Sequence, residues 1–171
     1  MRVVLFRHGP AGARDSEKWP DDRARPLTSD GRDRTRVAAR GVRRLEKNIS
    51  RIFTSPLTRA TQTATIVADE LGSQHEVEIL DSLAPGASQI SLIRRLNECG
   101  RGETILLVGH EPDLGSVAGT FLFGREGVLP LKKAGACAIA FDGPVKTGAG
   151  QLQWFVPPPV LARISRKRKR T

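Results

Sequence analysis

Apolar residues fall along the chain in two alternating patterns: short unbroken runs, and longer stretches in which they recur every three or four positions. Residues 3–6 are wholly apolar and too few for a helix, so they read as a strand covered on both faces. Residues 9–27 mix Pro, Gly, Asp and Arg with no period. This predicts a long loop, and loops of that length in compact domains are usually functional. A helix follows, capped by Thr28 or Ser29, with Val37, Ala38, Gly41, Val42 and Leu45 on its buried face. Arg51–Thr54 reads as a second strand. Ser55-Pro56 then supplies a hydroxyl cap and a proline at the first helical position, opening a helix whose Ala60, Ala64, Val67 and Leu71 face inward and which stops at Gly72. Residues 77–80 make a third strand. After a Pro/Gly loop at 84–87, Ser88 caps a helix with Ile90, Ile93 and Leu96 directed inward. Residues 104–108 form a fourth buried strand, a helix begins near Pro112, and residues 136–141 and 152–156 form two late strands. Residues 157–159 close the domain.

Strands and helices that alternate four times predict an α/β fold, a three-layer α/β/α sandwich on a mostly parallel central sheet. The chain has 171 residues, 39% of them hydrophobic, enough for one domain with a full core and no staples. That domain spans 1–162. Residues 163–171 form a basic tail, apolar-free from Ser165 onward and expected to be disordered. No apolar run is longer than six residues, which excludes a membrane-spanning helix and predicts no membrane insertion. The amino terminus enters a strand directly, without a charged leader, so a cytoplasmic location is expected.

Charge sharpens this picture. The net charge is +10, and Arg163, Arg166, Lys167, Arg168, Lys169 and Arg170 hold six of those charges, leaving +4 on residues 1–162. A mildly basic domain suits an anionic substrate. Arginines 32, 34, 36, 40, 43 and 44 read as a solvated helix face, His75 as part of an exposed turn, and the tail as a solubilising end. With six Phe, two Trp and no Tyr there is little to stack on bases, so nucleic acid is not expected as a partner. Cys99 and Cys137 show no spacing pattern and read as free thiols.

The chemistry-bearing residues fall where a parallel sheet binds ligands, beyond the carboxyl ends of its strands. Strand one ends in Arg7-His8-Gly9, strand two in Thr54-Ser55-Pro56, and strand four in Gly109-His110. Arg59 lies one turn into the second helix, and helical side chains lean back toward the amino end. Two arginine forks, two histidines and a helix amino terminus make a phosphate pocket. A neutral imidazole there can attack phosphorus. The pattern leaves open which histidine attacks. Gly9 lets the backbone approach the phosphate closely. His110-Glu111 lacks a His-x-x-x-His pair and runs into Pro112, so no metal and no cofactor is expected.

Four segments resemble motifs of the histidine phosphatase superfamily, the phosphoglycerate mutase-like proteins. They are Arg7-His8-Gly9, Leu27-Thr28-x-x-Gly31, Ser55-Pro56-Leu57-x-Arg59-Ala60-x-Gln62-Thr63-Ala64, and Gly109-His110. The resemblance implies a phosphoglycerate mutase-like fold, His8 as nucleophile, Arg7 and Arg59 as clamps on the phosphoryl oxygens, and His110 as a third ligand to them. The short chain, the stretch Gly109-His110-Glu111-Pro112-Asp113-Leu114 and the Leu83-x-Pro85-Gly86 loop are similar to SixA-type phosphohistidine phosphatases. The resemblance adds Arg25 at the pocket edge and implies a partner that bears phosphohistidine, such as a phosphorelay domain. Larger members carry a glutamate after the third strand that protonates the leaving alkoxide. This chain has only Asp81 there. An alkoxide is about as poor a leaving group as hydroxide, near pKa 16, whereas imidazole leaves readily, its conjugate acid having a pKa of about 6.5. The departure favours phosphohistidine over a sugar phosphate. Two alternatives stand beside it: a phosphomonoesterase acting on a small phosphorylated metabolite, and a module that binds phosphate without turnover.

Overall fold

The computed structural model describes residues 1–72, 76–127 and 129–166, so His75 and most of the basic tail lie outside the described residues. In chain order the elements are β1 (Arg2–Arg7), α1 (Ser29–Leu45), β2 (Arg51–Thr54), α2 (Thr58–Leu71), β3 (Val77–Ile79), α3 (Gln89–Asn97), β4 (Thr104–Gly109), α4 (Asp113–Phe123), β5 (Ala136–Ala140), β6 (Gln151–Val156) and α5 (Pro158–Ser165). Short 3₁₀ turns at Asp22–Ala24 and Asp81–Leu83 punctuate the loops.

The six strands form one mixed sheet in the order β3-β2-β4-β1-β5-β6. The first four are parallel, and β5 and β6 add an antiparallel edge beside β1. Within β1 the side chains alternate between two cores. Val3 and Leu5 pack with Leu92, Leu96, Leu114 and Phe121 of α3 and α4. Val4 and Phe6 pack with Ala38, Val42, Ala60, Val67 and Leu161 of α1, α2 and α5. That is why the run carries no polar residue: both faces lie under helices. Each fully buried Leu or Phe contributes about 1.5–3 kcal/mol.

Local signals set most boundaries. The Thr28 hydroxyl accepts the Gly31 N–H at 2.9 Å and caps α1. Gly72 ends α2 in the left-handed region, at φ 69°. Three expectations are corrected. Ser55 caps nothing: α2 starts at Thr58, Pro56 stays outside it, and the Ser55 hydroxyl is drawn into the site described below. Ile90 does not face inward but is 73% exposed, because at 3.6 residues per turn it lies roughly 160° round α3 from the buried Leu92. Residues 157–159 do not close the domain. Pro158 and Pro159 open α5, which runs to Ser165, so residues 163–165 belong to a helix and not to a tail. Its Leu161 is fully buried against α1, where a Cβ on Gly41 would meet the Leu161 carbonyl oxygen at 2.5 Å.

Cys99 and Cys137 are buried free thiols. Among the described residues no helix is long and apolar enough to cross a membrane.

Candidate active site

Strand register assembles the site. Arg7 lies beside Gly109 in the β1–β4 pair, and Thr54 beside Val108 in the β2–β4 pair. The ladder runs one residue further on each strand: the His8 N–H donates to Gly109 O and the Ser55 N–H to Val108 O, both at 3.0 Å. His8, Ser55 and His110 therefore leave the sheet together at the carboxyl edge of its parallel strands. The two imidazole centroids are 5.0 Å apart, and the Ser55 hydroxyl lies 2.8 Å from His110 Nε2.

His8 is 6% exposed, and its Nδ1 lies 2.7 Å from the Gly9 carbonyl oxygen. A carbonyl only accepts, so Nδ1 carries the proton and Nε2 keeps a free lone pair. The Ser55 hydroxyl oxygen accepts the Leu57 N–H at 3.4 Å, which suits it to give its own hydrogen to His110 Nε2. That leaves His110 Nδ1 as an N–H donor.

Both polar groups of Gly9 are occupied. Its carbonyl holds His8, and its N–H donates to the Thr63 hydroxyl at 3.0 Å, which in turn donates to Arg59 O at 2.7 Å. Its missing side chain serves packing: a Cβ there would collide with the Thr35 hydroxyl and crowd Gly31 O. Gly9 orients the nucleophile candidate and offers no amide to a phosphate, unlike the expectation from sequence.

Each arginine is fixed by one edge of its fork. Arg7 donates from Nη1 to Leu131 O at 2.7 Å. The segment carrying that carbonyl is tied to the end of β1: the Ala134 N–H reaches Arg7 O and His8 O, and the Arg7 N–H reaches Gly135 O. Ala134 holds φ 60°, a left-handed conformation that costs an L-residue roughly 1–2 kcal/mol. Glu111 Oε1 accepts the Leu131 N–H at 3.1 Å, so the residue after His110 steadies the segment that holds Arg7. Arg59, 4% exposed, donates from Nη1 to Asp22 O at 2.9 Å and pairs its Nη2 with Asp22 Oδ2 at 3.2 Å. Arg25 is buried too. It binds Asp22 Oδ1 through Nε at 2.7 Å and Gly12 O through Nη1 at 2.6 Å. Asp22 therefore yokes Arg25 to Arg59, and Arg25 reaches the pocket through that carboxylate.

Among the described residues, three buried side-chain nitrogens have no hydrogen-bond partner: Arg7 Nε, Arg59 Nε and His110 Nδ1. All three belong to the pocket expected from sequence. Unpaired buried donors are costly in a folded protein and mark a place for an anionic ligand. Burial, with the charges of Arg59, Arg7 and Lys133 behind it, lowers the His8 pKa to about 4 against the opposing hydrogen bond to Gly9. Burial, His8, Arg59 and Arg7 lower that of His110 to about 3. Burial also pulls both arginines below their ordinary values, yet a guanidinium starts so far above neutrality that both stay cationic. The site is two guanidinium cations around two neutral imidazoles.

Neither ring, followed by the NMR shift of its Cε1 proton, titrates with a midpoint above pH 5. A His8 midpoint near 6.5 contradicts the burial argument. Because the folded pKa lies below the unfolded one, the unfolded chain takes up protons first. The melting temperature therefore falls as pH drops from about 6.5 toward about 4.

Asp81 sits exposed in its 3₁₀ turn, and its side chain bonds none of His8, Arg7, Arg59 or His110. No group of three His, Cys, Asp or Glu side chains among the described residues is placed to hold a metal. The reading of the sequence missed Asp22 and Glu111. Asp22 lies in an aperiodic loop, and its only local sign was an acid among Arg14, Arg23 and Arg25. The other motif residues turn out to lock the loop: Gln62 Oε1 accepts the Leu27 N–H at 2.9 Å, and Gly31 lies against the Pro10 carbonyl.

The family model of the histidine phosphatase superfamily, branch 1, matches residues 3–84. The chain belongs to that superfamily, and its fold is that of a phosphatase. It is 38% identical over 157 residues to an uncharacterized protein of Picosynechococcus sp., covering 90% of this chain and 89% of the relative. It is 29% identical over 162 residues to phosphohistidine phosphatase SixA of Escherichia coli, covering 92% and 94%. A solved structure of protein histidine phosphatase SixA complexed with tungstate superposes with TM-score 0.78 at 27% identity, over 94% of this chain and 99% of the other. Fold and sequence are thus SixA-like.

Proposed function

We propose that the protein hydrolyses phosphohistidine on a signalling protein of the cytoplasm, such as a phosphorelay domain, through a covalent phosphohistidine formed on His8. The observation that carries this reading is the His8 tautomer: Nδ1–H is spent on Gly9 O, and the bare Nε2 lies among cations. Arg7, Arg59 and the His110 Nδ1–H take the three equatorial phosphoryl oxygens. The His8 Nε2–P bond forms as the substrate N–P bond breaks. A substrate imidazole that keeps a proton on its other nitrogen departs as neutral imidazole with the bonding electron pair. Water then attacks phosphorus as the His8 Nε2–P bond breaks; the bonding pair returns to Nε2, leaving His8 neutral, and the protons of water depart on the phosphate.

The nearby acids support an N–P substrate. Asp22 is held below the usual carboxylate range by the hydrogen bond from Arg25 and the charges of Arg59 and Arg25, so it carries no proton to give. Burial raises the Glu111 carboxyl above its ordinary value, but that carboxyl is spent on the backbone N–H groups of Leu131 and Gly115, which it accepts. Asp113 Oδ1 accepts the Gly86 N–H at 3.1 Å. Asp81 is exposed. An alkoxide needs a general acid, and a protonated imidazole does not.

The test is turnover, in EDTA, of a histidine-phosphorylated phosphorelay domain beside p-nitrophenyl phosphate. Hydrolysis of the phosphoprotein is the expected result. Hydrolysis of the ester alone replaces this reading with a phosphomonoesterase, and phosphate binding without turnover replaces it with a binding module.

A further inference from the structure

A groove of about 700 Å³ adjoins the phosphate pocket, between α1, α5 and the segment at 131–135. Val37, Pro158, Pro159 and Ala162 give it an apolar floor, and Arg34, Lys132 and Lys133 a basic rim. Arg7 lines it as well, so whatever lies in the groove ends at the residue that holds phosphate.

The rim is held in place. The Gly135 N–H donates to Lys132 O at 2.7 Å, and Ala134 is bonded to the carbonyls of Arg7 and His8. The two lysines are thereby carried at a set position beside the nucleophile, close enough that the Lys133 charge acts on His8. Both lysines are exposed, and no ion pair to a described acid satisfies either. Among the described residues Arg34 pairs only with Asp30, and both side chains are about two-thirds exposed (66% and 65%), so that pair is weak and open to exchange. The floor is equally stiff, since two consecutive prolines open α5 and Leu161 anchors it on α1.

A small phosphate needs only the pocket. A protein that presents its phosphohistidine there has surface left over, and this groove is what that surface meets. We propose that the groove docks the phosphohistidine-bearing protein itself, through apolar side chains on the proline floor flanked by Asp or Glu against Arg34, Lys132 and Lys133. This rests on the phosphohistidine reading above. Basic rims act mainly on association rate and make it salt-dependent, while the apolar floor sets residence time.

The experiment compares two substrates with the same bond: a histidine-phosphorylated phosphorelay domain and free phosphohistidine. Arg34→Glu and Ala162→Glu, on different helices and outside the phosphate pocket, are assayed against both, with circular dichroism confirming the fold. Should Ala162→Glu fail to fold, Arg34→Glu alone decides. The expected result is a loss of tenfold or more in kcat/KM on the phosphoprotein, through KM, with free phosphohistidine within twofold. In the wild type, added salt lowers kcat/KM for the phosphoprotein much more than for free phosphohistidine. Unchanged rates on both substrates overturn the docking surface and leave the phosphohistidine reading standing. Equal losses on both overturn it too, making the groove part of the small-phosphate site. A wild type inert on both N-phosphorylated substrates but active on p-nitrophenyl phosphate brings down the parent reading and the groove with it.

Discussion

Replacing His8 with alanine leaves a folded protein that still binds phosphate and loses kcat by about 10⁴-fold or more. The size follows from the chemistry. Arg7, Arg59 and His110 Nδ1 remain to hold phosphoryl oxygens, but no neutral nitrogen with a free lone pair stands in their midst. His110 cannot substitute readily, since its Nε2 is engaged by the Ser55 hydroxyl at 2.8 Å. The fold should tolerate the change. The imidazole is a desolvated group pressed by two guanidiniums, and its removal relieves that crowding. Rates on a phosphoprotein, with phosphate binding by calorimetry, check this. Free imidazole at millimolar concentration should restore part of the rate by refilling the space with the same nucleophile. More than about one percent residual activity at matched fold points to another attacking group, with His110 first in line.

Arg59→Ala lowers kcat/KM by about 10³-fold, equivalent to about 4 kcal/mol of transition-state stabilisation. Arg59 is the only arginine on α2 and is buried, with Nε lacking any partner while Nη1 and Nη2 are tied to Asp22. Lysine does not replace it, because a point charge cannot hold Asp22 and a phosphoryl oxygen in the same plane. Asp22→Asn is the informative companion. It weakens the yoke between Arg25 and Arg59 but leaves both guanidiniums, so it costs about tenfold. If Arg59→Lys is as active as the wild type, the fork geometry is irrelevant and only the charge matters.

Much of this site is legible from local pattern. Unbroken apolar runs at 3–6 and 104–108 declare doubly covered strands. In such a sheet the next residues, Arg7-His8 and Gly109-His110, have nowhere to go but the carboxyl edge. The helix-start signal places Arg59 near the amino end of the second helix, although α2 starts at Thr58 and Arg59 is its second residue, not one turn in, and Thr28 and Gly72 mark helix ends by their own chemistry. Where local rules misled, a distant partner competed for the same group. Ser55 has the ideal residue type for a helix cap, but His110, 55 positions away, takes its hydroxyl. Gly9 reads as a phosphate-facing glycine, but α1 lies on its Cα and Thr63 on its N–H. Ile90 fits an apolar period, but the packing of Leu92 and Leu96 chose the other side of α3. Residues 157–159 look like a stop, yet burial of Leu161 on α1 makes them a helix start.

The chain's own pattern therefore determined the layer architecture, the sheet edge that bears the candidate site, and His8, Arg7, Arg59 and His110 as the residues that meet there, because each follows from periods and residue chemistry over a few neighbouring positions. Only tertiary structure decided how they are poised. The carbonyl that fixes Arg7 belongs to Leu131, 124 residues on. The carbonyl and carboxylate that fix Arg59 belong to Asp22, 37 residues back. The proton on His8 Nδ1, the free Nε2 and the depressed pKa arise from burial, from the neighbouring Arg7 and from charges on two other segments, Arg59 and Lys133. Such properties depend on distances between groups far apart in the chain, and these exist only once the sheet has closed.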